Sequence, residues 1–173
     1  SFMTLQALEV LLAHRDGYGL ARNNYRILFP GGSDRIQVLP AGMDQLFQPP
    51  DLPWNPAWGG ALSRALSGTE AGRTAHEARC RSLFGTILAP GSLEGRVRAQ
   101  LKQLEPGLTT GEVATLRAAV DDLCDRIRHR RESLDTQFRR SLAARARFMD
   151  GVVALEGWVP RDVPEGGIVD RWM

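Results

Sequence analysis

The sequence of 173 residues has little lysine, little cysteine and no long apolar run. Because no stretch of about 18 consecutive apolar residues occurs, we expect neither a transmembrane helix nor a membrane partner. Cys80 and Cys124 are the only cysteines and form no CxxC motif. This argues against a zinc site and favours two partly buried free thiols over a disulfide. No signal peptide is recognisable, so a soluble protein is expected, with its localisation left open.

Lys102 is the single lysine among 22 basic residues, and the net charge is +2. Such a charge does not by itself indicate nucleic-acid binding. The most basic stretch, residues 126–131, is interleaved with acidic residues at helical spacing. Because such charges pair along one solvated helix face, no nucleic-acid partner is predicted. His76 and His129 lie among charged residues, and we expect both to be exposed.

The pattern of apolar residues predicts a mainly helical α+β fold with one small hairpin. Helical spacing of leucines predicts a helix over residues 4–13. Two short apolar strands, 25–29 and 35–39, flank a turn at 30–34 and predict a hairpin. Residues 48–60 contain four prolines and predict an irregular loop. Further elements are predicted as helices at 61–67, 69–88, 92–104 and 109 to about 147, and a strand at 152–155.

These elements group into three segments of what we expect to be one domain. Residues 3–60 hold the hairpin and the Pro/Trp-rich loop, 61–147 are helical, and 148–173 form a short strand and a tail. Val113, Leu116, Val120, Leu123 and Ile127 make an apolar stripe. We expect this stripe to pack on the helices of residues 69–88 and 92–104.

Three polar groups between the first helix and the end of the hairpin carry the functional signal. Asp16 follows an apolar helix, Asn23 and Asn24 open the first strand, and Asp44 follows the second. An ordinary Asp-Gly turn and an Asn turn are the alternatives for the first two. The order nevertheless fits phosphoryl transfer, in which an Asp orients a hydroxyl while an Asn and an Asp hold magnesium.

The same residues resemble the CotH kinase family, the spore-coat-type atypical protein kinases. The resemblance rests on three motifs within residues 10–48, namely His14-Arg15-Asp16-Gly17-Tyr18, Arg22-Asn23-Asn24-Tyr25-Arg26 and Leu39-Pro40-Ala41-Gly42-Met43-Asp44-Gln45-Leu46-Phe47. It implies a fold like the C-lobe of an atypical kinase, and ATP- and Mg²⁺-dependent phosphorylation of Ser or Thr on a protein substrate. It is also compatible with a bacterial parent protein that is exported or associated with the spore or cell surface.

The resemblance also implies a role for each site residue. Asp16 would be the catalytic residue, and Asn23, Asn24 and Asp44 the metal-binding set, with Asn24 favoured over Asn23. Arg15 and Arg22 are candidates for contact with the cofactor phosphates. His14 is expected to be a structural hydrogen-bonding residue. Many CotH-like kinases carry two acids in the third motif, but Gly42 stands here in place of the first, which puts a two-metal site in doubt.

A phosphate-gripping lobe is missing from the chain. Kinases hold the nucleotide with a strand lysine and a Gly-rich loop, but no lysine precedes Asp16. We therefore expect a kinase fragment that binds ATP poorly on its own. The alternative is a catalytically inactive helical protein-interaction domain. An exposed apolar surface where that lobe would dock could support a homo-oligomer, with Trp54, Trp58 and the 48–60 loop as candidates.

Overall fold

The computed structural model describes residues 2–32 and 36–149. It confirms a mainly helical fold with one small antiparallel hairpin. The elements are α1 (Phe2–Leu11), α2 (Tyr18–Ala21), β1 (Tyr25–Leu28), β2 (Gln37–Pro40), α3 (Ala61–Ser67), α4 (Glu70–Ile87), α5 (Ser92–Leu104) and α6 (Thr110–Met149), with 3-10 turns at Met43–Gln45 and Glu105–Gly107.

The long helices begin where side-chain caps satisfy their first backbone N–H groups. Thr69 precedes α4, and its hydroxyl accepts a hydrogen bond from the N–H of Gly72 at 3.0 Å. At the start of α6, the Thr109 hydroxyl accepts from the N–H of Glu112, whose carboxylate in turn accepts from the N–H of Thr109 at 2.8 Å. This reciprocal pair is a capping box, the signal from which the start of α6 was predicted.

The hairpin pairs Tyr25 with Pro40 and Leu28 with Gln37. The second strand thus runs from residue 37 to 40, whereas the prediction placed it at 35–39. The hydrogen bonding between the two strands continues one residue beyond β2, because the N–H of Ala41 donates to the carbonyl of Asn24 at 2.8 Å. This bond places residues 41 and 42 beside Asn24, at the open end of the hairpin.

Two packed layers supply most of the core. Helix α1 packs along α4, and its Val10 and Leu11 are fully buried. Helices α5 and α6 meet in a cluster of Leu101, Val120 and Cys124, flanked by Val97 and Leu116. Two residues of the predicted α6 stripe, Leu116 and Val120, therefore pack on α5. Helix α4, the other partner expected for the stripe, packs on α1 instead. Helix α1 is largely apolar, so it must itself be buried against a neighbouring helix.

Both cysteines are buried and free, as predicted. Burial raises the pKa of the Cys80 thiol to about 12. A thiol with such a pKa is almost wholly protonated near neutral pH, so Cys80 is a core residue and not a nucleophile.

The chain divides into two compact units, Ser1–Leu134 and Asp135–Met173. In the second unit the described residues continue α6 as far as Met149. The strand predicted at 152–155 and the tail lie outside the described residues, and the predicted segment boundaries stay predictions. No described helix is long and apolar enough to cross a membrane.

Candidate functional site

The loop that carries Asp16 begins with a sharp turn at the end of α1. Ala13 adopts a left-handed backbone conformation with φ of 50°. The N–H of His14 then donates to the carbonyl of Glu9 at 2.7 Å, which folds the loop back against α1. His14 is buried, whereas Asp16 is partly exposed and Arg15 points to solvent. The turn therefore fixes the loop through a buried histidine and leaves Asp16 accessible.

Asp16 and Asn24 are brought together in the structure. The side-chain amide of Asn24 donates to a carboxylate oxygen of Asp16 at 3.0 Å. Asn24 has a left-handed backbone conformation with φ of 46°, which Asn tolerates better than most residues. This conformation lies directly before β1. The chain thereby turns into the hairpin while the Asn24 side chain reaches back towards Asp16.

His14 and Asn24 both lie against Gly42, which follows β2 at the open end of the hairpin. The Nε2 atom of His14 is 3.2 Å from the carbonyl oxygen of Gly42, so His14 has the structural role expected for it. Gly42 has φ of 57°, and a Cβ atom there would lie 2.6 Å from Cγ of Asn24. A side chain at position 42 is therefore excluded while Asn24 holds Asp16.

The remaining predicted site residues are more exposed. Asp44 lies in the 3-10 turn two residues after Gly42, and Asn23, Arg15 and Arg22 are also exposed. Among the described residues, no three Asp, Glu, His or Cys side chains come together as a metal site would require. A cation at this site would therefore depend on the amide oxygen of Asn24 beside the carboxylates. Carboxylate and amide oxygens are ligands that suit magnesium.

Glu9 is the site residue that sequence reasoning missed. Its two carboxylate oxygens accept hydrogen bonds from the N–H groups of Tyr18 at 2.9 Å and Gly19 at 2.7 Å. The side chain is buried, and its burial raises the pKa of the carboxyl to about 7, although the two hydrogen bonds act in the opposite direction. A single acid in the otherwise apolar helix 2–11 was the signal that could have identified it.

Gly17 and Gly19 leave room for the Glu9 carboxylate. A Cβ atom at Gly17 would lie 2.6 Å from one carboxylate oxygen, and a Cβ atom at Gly19 would lie 2.6 Å from the other. Real Cβ atoms do not approach neighbours so closely, so a side chain at either position would displace the Glu9 carboxylate from its two hydrogen bonds. The Gly-Tyr-Gly sequence after Asp16 is therefore explained by close packing on Glu9.

Arg130 of α6 anchors the segment that leads into the site. Its guanidinium is fully buried and donates to the carbonyls of Val10, Leu11, Pro50 and Leu52. Two of these carbonyls, of Val10 and Leu11, lie in the last turn of α1, where the regular helical hydrogen-bond pattern ends. Burial lowers the pKa of Arg130 to about 10, so the group stays charged at neutral pH. The sequence predicted that the basic stretch 126–131 lies on a solvated helix face. This prediction is wrong for Arg130, which is buried inside the fold.

The histidine and tryptophan predictions need correction. His76 was expected to be exposed but is buried, and its Nε2 atom lies 3.2 Å from the carbonyl oxygen of Trp54. The Trp54 ring stacks on His76, and the Trp58 ring packs edge to face on it. Trp58 is itself buried. Both rings therefore pack on His76 of α4. Trp58 does not belong to the predicted exposed surface, whereas Trp54 is half-buried.

Comparison of the chain with protein-family models, with curated proteins and with solved structures finds no match.

Proposed function

We propose that this chain is the catalytic-loop and helical portion of a CotH-like protein kinase. In the intact parent the reaction would be ATP- and Mg²⁺-dependent phosphoryl transfer to a protein Ser or Thr. The observation that carries the proposal is the 3.0 Å hydrogen bond between Asp16 and Asn24. It joins, across a loop of seven residues, the two side chains that the resemblance assigns to hydroxyl orientation and metal binding.

The backbone of the segment supplies a second line of support. Among the described residues, the non-glycine positions with a left-handed backbone are Ala13, Arg22, Asn24 and Phe47. All four lie within the stretch that carries the three motifs. Unfavourable backbone conformations persist where the surrounding structure holds them, and they concentrate at functional sites. This concentration favours a site over an ordinary surface loop.

In this proposal each residue has a distinct task. Asp16 orients or deprotonates the substrate hydroxyl, and Asn24 and Asp44 hold magnesium, with Asn23 as a further candidate ligand. Bound magnesium supplies charge neutralisation on the transferred phosphoryl group. Arg15 and Arg22 are exposed cations next to this site and are assigned to the cofactor phosphates.

A catalytically inactive interaction domain is the second candidate. The geometry at Gly42 favours it. Asp44 is the acid of the third motif, because position 42 holds a glycine, and the Asn24 side chain fills the space that another side chain at position 42 would need. Both candidates share the same fold and differ in whether Asp16 and Asn24 bind a cation.

Manganese binding by the purified chain separates the two candidates. We expect Mn²⁺ to broaden the side-chain amide NMR signals of Asn24 selectively. Asp16→Asn should weaken this binding by roughly tenfold or more, because affinity follows the charge of the ligands. Asp122→Asn, an exposed carboxylate on α6, is the matched control and should leave it unchanged. Uniform broadening, or no loss in Asp16→Asn, would favour the inactive domain.

Activity gives the complementary measurement. With labelled ATP, magnesium and a generic protein substrate, we expect little or no turnover by this chain, since clamping of the phosphates is most of what a kinase supplies. Robust phosphorylation that Asp16→Ala abolishes would instead identify a complete minimal kinase.

For the partner, we propose a protein substrate and self-association through the hairpin. The exposed large apolar side chains concentrate there. Phe29 is 73% exposed and Ile36 53%. Residues of β2, with Phe2 and Leu62, line a cavity of about 300 Å³. An apolar patch of this kind is the surface that a missing lobe, or a second copy of the chain, would cover.

A further inference from the structure

We propose that Glu9 is the positioning residue for Asp16, acting through the backbone of Tyr18 and Gly19. This inference rests on the function proposed for Asp16. Glu9 contacts neither a substrate nor a cation in this role. It fixes the far end of the loop whose near end is fixed by His14, so that Asp16 is held between two buried side chains.

Glu9 makes the side-chain contacts that hold the loop after Asp16. The N–H of Gly17 donates to the carbonyl of His14 at 3.0 Å, which closes a tight turn around Arg15 and Asp16. The next two N–H groups, of Tyr18 and Gly19, are the ones bound by Glu9. Every backbone N–H from residue 17 to 19 is therefore held, and Asp16 lies directly before this run.

The choice of a carboxylate follows from the two donors. Glu9 accepts one hydrogen bond at each oxygen. A glutamine would offer one acceptor, and its NH₂ group would face an N–H. A protonated glutamate is likewise a poorer acceptor at one oxygen. The grip on the loop is therefore tightest when Glu9 is ionised, although burial opposes ionisation and raises the pKa of Glu9 to about 7.

Other titratable groups surround this carboxylate. The Nδ1 atom of His14 lies 2.9 Å from the position of a Gly17 Cβ, close to the Glu9 oxygen. On the neighbouring α2, Tyr18 binds the N–H of Leu62 through its hydroxyl. On α4, which packs along α1, the buried titratable side chains are His76, Glu77 and Cys80. The His76 ring packs on the Trp58 indole, which lies against Gly19.

NMR of the ¹⁵N-labelled chain between about pH 5.5 and 8.5 tests the inference. We expect the backbone amide signals of Tyr18 and Gly19 to shift with a midpoint near 7, the pKa of Glu9. The side-chain amide signals of Asn24, which report the bond to Asp16, should shift with the same midpoint. The ring protons of the histidines are followed in the same spectra, so that a shift caused by a histidine is assigned separately.

Glu9→Gln should abolish this titration at all three residues. Glu70→Gln, an exposed glutamate on α4, is the matched control and should preserve it. If Tyr18 and Gly19 titrate while Asn24 does not, Glu9 holds α2 without positioning Asp16, and the inference fails. It also fails if none of the three responds to the titration of the Glu9 carboxyl. The wild-type titration decides these outcomes even where Glu9→Gln does not fold.

The proposed function can fail separately. If the Asn24 signals shift with the titration of Glu9 but Mn²⁺ does not broaden them, the positioning role of Glu9 is supported and the kinase assignment is wrong. If Mn²⁺ binds through Asp16 while the Asn24 signals ignore Glu9, the kinase assignment stands and the role of Glu9 falls.

Discussion

Arg130 shows how much a single buried residue can contribute to this fold. Its guanidinium meets four backbone carbonyls from two separate segments. Removing it would take a charged donor from these carbonyls, two of which belong to the buried residues Val10 and Leu11, and hydrogen bonds to charged groups contribute roughly 1.5–3 kcal/mol each. We expect Arg130→Ala to lower the free energy of unfolding by about 3 kcal/mol, as measured by urea denaturation.

The control for this change is an arginine of the same helix. Arg128 is exposed and pairs with Asp125 at 2.6 Å. Exposed ion pairs contribute about 0–1 kcal/mol, so Arg128→Ala should change stability little. Equal losses in the two variants would show that Arg130 acts through helix propensity or net charge and not through the buried carbonyls.

Glu9 should make the folded protein less stable as the pH rises, whereas most carboxyl groups have the opposite effect. Its pKa in the folded state, about 7, lies above the ordinary value of 4.5, so the folded state binds the proton more tightly than the unfolded state does. Its contribution to stability is therefore fully present below about pH 4.5 and is lost as the pH rises through about 7.

The measurement is the difference between wild type and Glu9→Gln in urea melts at a series of pH values. We expect the difference in unfolding free energy to change by on the order of 2 kcal/mol between pH 4.5 and 8. His76 contributes a slope of the opposite sign, because burial lowers its pKa. It is present in both proteins and cancels. Parallel pH profiles would contradict the assignment of a raised pKa to Glu9.

The elements around the site depend on two glycines. Gly17→Ala and Gly19→Ala would each place a methyl group 2.6 Å from an oxygen of Glu9. We expect each to cost about 1–3 kcal/mol, as overpacking does, and to weaken the hydrogen bond between Asp16 and Asn24. Gly85→Ala is the matched control, since it lies inside α4 with open space at its Cβ position. It should stabilise the protein by about 0.5–1 kcal/mol; a loss there as well would contradict the packing argument.

Packing between α5 and α6 is testable with two leucines of one helix. Leu101 is buried in the cluster with Val120 and Cys124, whereas Leu104 is 55% exposed. Leu101→Ala should cost about 2–5 kcal/mol, and Leu104→Ala should cost far less. Similar losses for both would show that α5 is buried on a different face.

At the level of elements, the sequence predicted most of the architecture. The helices at 61–67, 69–88 and 92–104 were found within one residue of their expected ends, because caps and prolines mark helix boundaries locally. The hairpin was also found, although β2 is shifted because its register depends on the Asn24–Ala41 bond. Such a bond between residues distant in sequence leaves no local pattern.

The residues of the site were predictable only in part. Asp16 and Asn24 stood out by motif, but the direct hydrogen bond between their side chains was not predicted. Glu9, His76 and Arg130 were missed or expected to be exposed, because a charged residue on an amphipathic helix usually faces solvent. What buries these three is a set of partners from other segments, such as the N–H groups of Tyr18 and Gly19. Their environment is therefore a tertiary property.

At the scale of the whole molecule, the apolar hairpin should control self-association. Phe29 and Ile36 are among its most exposed apolar side chains. We expect the wild-type chain to associate as its concentration rises, and Phe29→Glu to shift this association to higher concentration, as measured by sedimentation velocity. Leu142→Glu, a similarly exposed leucine on α6, is the control. If both variants behave like wild type, the hairpin is not the associating surface.

The bond between Arg130 and the end of α1 also has a consequence for the order in which the protein folds. Residues 10 and 130 are separated by 120 positions, and contacts so distant in sequence form late because a long loop must close first. During synthesis, the residues of the candidate site leave the ribosome early but lack their anchor until most of α6 has emerged. A ribosome-stalled chain ending at about residue 125 should therefore leave the 10–24 segment sensitive to protease. A chain extended through α6 should protect it.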